Sequence, residues 1–170
     1  MKTIIALFLL VTASCNAQIK DVFDTARTGT VNEIKLLMQK DNNCINTVNT
    51  AGFTPLILAC YRNNEPVAVY LAQNVKDINA NSPSGTALAA AAVKLNVALA
   101  TVLLQNKANP NIADAAGVTP LVYAVQFQKT ELVKILLQYK ANPLLADNSG
   151  KTPYDHAIET KNQEIINLLK

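Results

Sequence analysis

The sequence predicts an all-α solenoid of about five helix-turn-helix units, stacked side by side and joined by β-hairpin-like loops. Three observations predict it. A helix start recurs, as T-P-L-I-L-A-C from Thr54, T-A-L-A-A-A-A from Thr86, T-P-L-V-Y-A-V from Thr119 and T-P-Y-D-H-A-I from Thr152, at separations of 32, 33 and 33 residues. Self-similarity at such a period marks stacked repeats. The start also has the right local chemistry, since a Thr hydroxyl accepts from an orphan N–H at a helix N-terminus and Pro fits the first helical position, where no N–H is needed. Finally, 50% of the 170 residues are hydrophobic, only 5% are aromatic and there is no Trp, the composition of a core made by Ala, Leu, Ile and Val helices.

The best unit continues after a polar break with E-L-V-K-I-L-L-Q, Glu131 to Gln138. That pattern, with an Asn before the turn to the next unit, resembles the ankyrin repeat over Lys20 to Lys170; with the leader described below, the chain is similar to secreted bacterial proteins of this type. It departs from the family pattern T-P-L-H-x-A-A at the histidine, which is Ile57, Ala89, Val122 and Asp155 here. The usual inter-helix hydrogen-bond network is therefore not expected. The glycine between the two helices of a unit occurs only as Gly29, which predicts a less stable array.

The chain opens with a leader, residues 1–17. Lys2 supplies a positive start, Ile4 to Val11 an apolar run and Thr12 to Ala17 a small, polar exit, the plan of a secretory signal peptide. Its apolar run is too short to span a bilayer, which takes about 20 residues. Two processing routes are open. Cleavage after Ala17 would leave Gln18 first, whereas Thr12-Ala13-Ser14-Cys15 resembles a loose bacterial lipoprotein box without its usual Leu, and Cys15 would then carry a lipid anchor. Soluble export is the favoured reading. Losing Lys2 lowers the formal charge from +3 to +2, too little and too dispersed to imply nucleic acid.

Residues 18–170 form the repeat domain. The first unit, 20–46, lacks the T-P-L start and exposes Asp21, Asp24, Lys35 and Lys40, as expected of a cap with one solvated face. In the second, 47–79, Thr54 opens the first helix and Pro66 lies in the first turn of the second, with Val67, Tyr70 and Leu71 on one face. The third, 80–111, is the most apolar, yet Lys94 and Asn96 interrupt it and the register puts Asn96 at a turn, so a membrane helix is not expected. This unit is one residue short in Asn81-Ser82-Pro83-Ser84-Gly85, and its loop tip should deviate. The fourth, 112–144, matches best. The fifth, 145–170, turns Gln163, Glu164, Asn167 and Lys170 outward as a second cap.

No catalytic or cofactor constellation is present. His156 is the only histidine. Its neighbour Asp155 does not face it on a helix, and a packing role in the cap is expected. Neither a phosphate loop nor a metal spacing is found, and the chain is not expected to be an enzyme. Cys60 occupies a small buried position of the first helix and Cys44 a loop; an oxidising compartment would permit their pairing without requiring it.

What remains is surface. In the ankyrin family partners are generally bound by hairpin tips and by the exposed concave side of the first helices. Matching positions here are Tyr61 and Arg62, Lys94, and Phe127 on the helices, with Phe53 at a tip. Exposed aromatic and Arg side chains are the usual interface anchors, although Phe53 and Phe127 could instead pack locally. The resemblance thus implies a protein-binding module, expected to be a monomer in the periplasm or outside the cell. It would act as inhibitor or immunity protein, or as accessory to an envelope enzyme, with Arg62 and Lys94 favouring an acidic partner surface. A lipid-anchored structural protein of the envelope is the alternative.

Overall fold

A computed structural model describes residues 21–170. The leader, with Cys15 and both processing points, lies outside the described residues. Five helix pairs follow one another: α1 (Val22–Thr28) with α2 (Val31–Lys40), α3 (Pro55–Arg62) with α4 (Glu65–Asn74), α5 (Ala87–Val93) with α6 (Val97–Gln105), α7 (Pro120–Gln126) with α8 (Thr130–Gln138), and α9 (Pro153–Thr160) with α10 (Gln163–Leu168). A short 3-10 turn, Cys44–Asn46, links the first pair to the second. The odd-numbered helices pack in chain order as an inner layer and the even-numbered ones as an outer layer.

Each recurrent Thr begins a helix in the way its chemistry predicts. The hydroxyls of Thr54, Thr86, Thr119 and Thr152 accept from the third helical N–H at 3.3, 3.3, 3.4 and 3.3 Å. These caps settle the register of the whole stack. Apolar faces then meet between units: Cys60, Ala92, Val125, Leu71, Leu103 and Leu136 are all fully buried. Burial of such groups, worth about 25 cal/mol per Å2 of apolar area, is what a single hairpin could not achieve by itself. Both Cys44 and Cys60 are free thiols; Cys60 behaves as a small core hydrophobe, and burial holds its thiol protonated.

The missing glycines have an observable consequence. Asn63, Leu95, Gln128 and Lys161 take left-handed backbone conformations, with φ of 56, 57, 54 and 57°, and after the first three the N–H groups of Asn64, Asn96 and Lys129 bond back to the carbonyls of Ala59, Ala91 and Ala124. Gly29 does not play this part: its φ is −92°, and the first pair is one residue shorter from cap to cap, Asp21 to Thr30 against Thr54 to Asn64. It is needed there for closeness, since a Cβ would lie 2.7 Å from Thr25 Cγ2 and 2.8 Å from the Thr25 carbonyl oxygen.

Polar links run along the stack at the same period. The side-chain oxygens of Asn46, Asn79 and Asn111 accept from the backbone N–H groups of Lys76, Asn109 and Asn142 at 2.8, 2.7 and 2.7 Å. At the hairpin tips, Ala115 N–H donates to the Pro83 carbonyl and Asn148 N–H to the Ala116 carbonyl. The third tip does deviate: Ser82 and Gly85 close it by mutual backbone bonds, where the second, fourth and fifth use Asn49, Asp114 and Asp147 over one more residue. Among the described residues no buried side-chain nitrogen or oxygen lacks a hydrogen-bond partner, and no helix is long and apolar enough to cross a membrane.

Candidate functional site

The hairpins and the last turn of each inner helix make up the side that the ankyrin resemblance implies to be the concave face. Inner-helix residues seven positions after the capping Thr lean toward the following repeat. Tyr61 does so, its hydroxyl donating to the Ser84 carbonyl at 2.8 Å, and Gln126 does so, its amide nitrogen 3.4 Å from His156 Nδ1. One position further on stand Arg62, Lys94 and Phe127, equivalent in three successive units. All three are exposed. Neither Arg62 nor Lys94 has an ion pair among the described residues.

The five residues read from the sequence separate into three groups. Phe53 and Tyr61 meet edge to face, with ring centroids 6.1 Å apart and planes at 87°, and both are half-buried. Tyr61 is thus a tether between two repeats rather than a freely projecting anchor; burial and the nearby Asp114 charge push its hydroxyl pKa up. Phe127 remains 49% exposed, and its ring stacks on Tyr123, 6.4 Å away at 10°. Arg62 and Lys94 stand as separate cations on adjacent helices.

Two carboxylates that sequence reading passed over organise the rest. Asp114 accepts from the Ala116 and Val118 N–H groups at 2.8 and 2.9 Å and from the Tyr123 hydroxyl at 2.5 Å. The hairpin is thereby bonded to the ring that supports Phe127. Burial, followed by the bond to Asp114, drives the Tyr123 hydroxyl far above the usual tyrosine range. In the last unit Asp147 repeats the arrangement, accepting from the Ser149 and Lys151 N–H groups and lying 2.8 Å from His156 Nε2. Hydrogen bonds from Ser149 and His156 hold its carboxyl well below the ordinary range. His156 does not pair with Asp155, whose carboxylate caps α9.

The signal was in the sequence. An Asp five residues before the capping Thr, with Tyr or His four residues after it, occurs in both the fourth and the fifth unit. Chemically, His156 is surrounded by Asp147, Gln126 and Glu159, a bracing set without an attached nucleophile. Among the described residues no group of three or more His, Cys, Asp or Glu could hold a metal ion. The family model for ankyrin repeats (3 copies) matches residues 22–114 and again 87–170. A search of curated proteins finds no match to the chain.

Proposed function

The chain belongs to the ankyrin repeat family, whose repeats make it an interaction module, and from that premise we propose that a partner protein docks on its concave face across the second to fourth units. One observation carries this reading: Arg62, Lys94 and Phe127 repeat at one register with no internal partner that uses them up, and Phe127 has a braced aromatic platform beneath it. Phe127 is the apolar anchor. Arg62 and Lys94 select an acidic surface and speed association at low salt, while Phe53 and Tyr61 shape the adjoining wall.

Export completes the proposal, resting on Lys2 and the Ile4 to Val11 run. An exported module of this kind would serve as an inhibitor, as the immunity partner of a toxin or as an accessory to an envelope enzyme. Intact-mass measurement on native protein tests export; a chain that retains Met1 would end this part of the reading, and a lipidated Cys15 would move it to the membrane surface.

Docking is tested by capture of the partner from the envelope fraction, followed by affinity measurements. Phe127→Ala should lose at least about 2 kcal/mol, roughly thirtyfold in affinity. Lys134→Ala on the outer layer, where Lys134 only meets the exposed Glu164, should change almost nothing. Equal and negligible effects of Phe127→Ala, Arg62→Ala and Lys134→Ala, with folding intact, would remove the concave face from the interaction.

A further inference from the structure

Arg62, Lys94 and Phe127 form an evenly spaced row. Each stands eight positions after a capping Thr, at Thr54, Thr86 and Thr119, and the helices that carry them, α3, α5 and α7, pack in succession. Packed helices lie about 8–10 Å apart from axis to axis, so equivalent side chains recur along this face at about that interval. Both cations are exposed and have no ion pair among the described residues. Glu65, the carboxylate nearest to Arg62 in the chain, accepts from the Asn96 amide at 3.4 Å instead.

A partner segment that meets the row must present side chains on one of its own faces at the same interval. In a strand, same-face positions recur every second residue, about 6.7 Å apart, which is too short. Among the described residues there is also no sheet edge for a strand to extend, only the isolated bridge between Ser82 and Gly85. An α-helix covers about 10.5 Å in seven residues, yet it docks through an apolar stripe at i, i+3, i+4 and i+7, whereas this row offers one apolar anchor beside two cations. A polyproline II segment returns to the same face every third residue at about 3.1 Å per residue, or about 9.3 Å. That interval matches.

The rings around the row suit the same conformation. Phe53 and Tyr61 meet in the second unit and Tyr123 and Phe127 stack in the fourth, while the tyrosine hydroxyls are held by Ser84 and Asp114. Polyproline segments dock on aromatic-lined surfaces and, being ordered beforehand, lose little freedom on binding. We propose that what docks here is an acidic segment of another protein in the polyproline II conformation, with two carboxylates three residues apart and an apolar side chain three residues further along. The carboxylates meet Arg62 and Lys94, and the apolar side chain meets Phe127. This rests on the docking reading above and adds to it the conformation and spacing of the partner.

Fluorescence anisotropy of the full chain with end-blocked, labelled peptides tests this. The first peptide is Leu-Pro-Pro-Glu-Pro-Pro-Glu-Pro-Pro-Leu, which presents the pattern in either chain direction. Two others carry the same Leu and Glu residues with one or three prolines in each spacer, and a fourth is a helical peptide with those side chains seven residues apart. The first should bind about tenfold more tightly than the other two proline peptides, the gain expected of two exposed ion pairs set in register. Phe127→Ala should weaken it. Arg62→Glu combined with Lys94→Glu should reverse the preference toward the peptide with Lys in place of Glu, again with two prolines between. Binding of none of these peptides, equal binding of all the acidic ones, or tightest binding of the helical one overturns the proposal. Failure of the docking reading itself looks different, since a partner captured from the envelope fraction would then bind folded Phe127→Ala and Arg62→Ala as well as it binds the parent chain.

Discussion

In the third repeat the inner helix runs from Ala87 to Val93, six of its residues are at most 1% exposed, and its hairpin closes through Ser82 without touching that helix by a side-chain bond. In the fifth, the inner helix carries Asp155, His156 and Glu159, and the hairpin is tied to it through Asp147. Both keep the same Thr cap and the same left-handed turn. The third has a repeat on either side and can rely on small side chains that bring helices close, a gain that is non-directional. The fifth has one covered side, buries less, and is joined to its own hairpin and to Gln126 by directed polar contacts. Position in the stack does not decide this alone, since the fourth repeat, covered on both sides, also ties its hairpin to its inner helix, through Tyr123 and Asp114.

The strongest way to break the comparison is to cut the apolar side of it. Leu103→Ala in the third repeat, a fully buried site, should cost about 2–5 kcal/mol and lower the denaturant midpoint of the whole array. Ile165→Ala in the fifth should instead loosen the last unit ahead of the rest, because a terminal repeat has only one neighbour. Equal global losses from the two would show that the end unit is as integrated as the middle.

Caps offer a finer comparison. Thr86→Ala removes the only side-chain bond at the start of α5 and should cost about 1 kcal/mol. Thr152→Ala also removes the bond that its hydroxyl donates to the Asp155 carboxylate, so it should cost no less, although it sits at the periphery.

Acid distinguishes the two repeats. The folded-state pKa of Asp147 is depressed, so its stabilisation is complete above the unfolded carboxylate value of about 3.9 and is lost as the pH falls from there toward the folded value. Melts of wild type and Asp147→Asn should differ at neutral pH and converge in acid. Ser82→Ala in the third hairpin should show a difference that does not converge, since no charge is removed.

The smallest effect concerns the turns. Lys161→Gly relieves a left-handed residue at φ 57° and should gain up to about 1 kcal/mol. Leu95→Gly relieves the same strain but gives up a side chain only 38% exposed, so its gain should be smaller.

Much of the fold was legible because it is local. N-capping Thr, Pro in the first turn and apolar spacing act between residues a few positions apart, and together they set the ten helices, their register and their two layers. The exposure of Arg62, Lys94 and Phe127 followed from register alone. Phe53 and Tyr61 had the right place and the wrong exposure, because a Tyr at the seventh position reaches 23 residues along the chain to Ser84, and no local rule measures that reach.

What the sequence by itself determined about this protein is therefore the repeat, the start of each helix and the side of each helix that is apolar. Only the tertiary structure decided which polar groups meet: Asp147 with His156 rather than Asp155, Tyr123 with Asp114, Asn64 with the carbonyls of Ala26 and Gly29. The physical reason lies in directionality. Apolar burial tolerates small shifts and so survives translation from pattern to position, whereas a hydrogen bond needs its partners within about 3 Å and in line, a condition met only once neighbouring repeats have stacked.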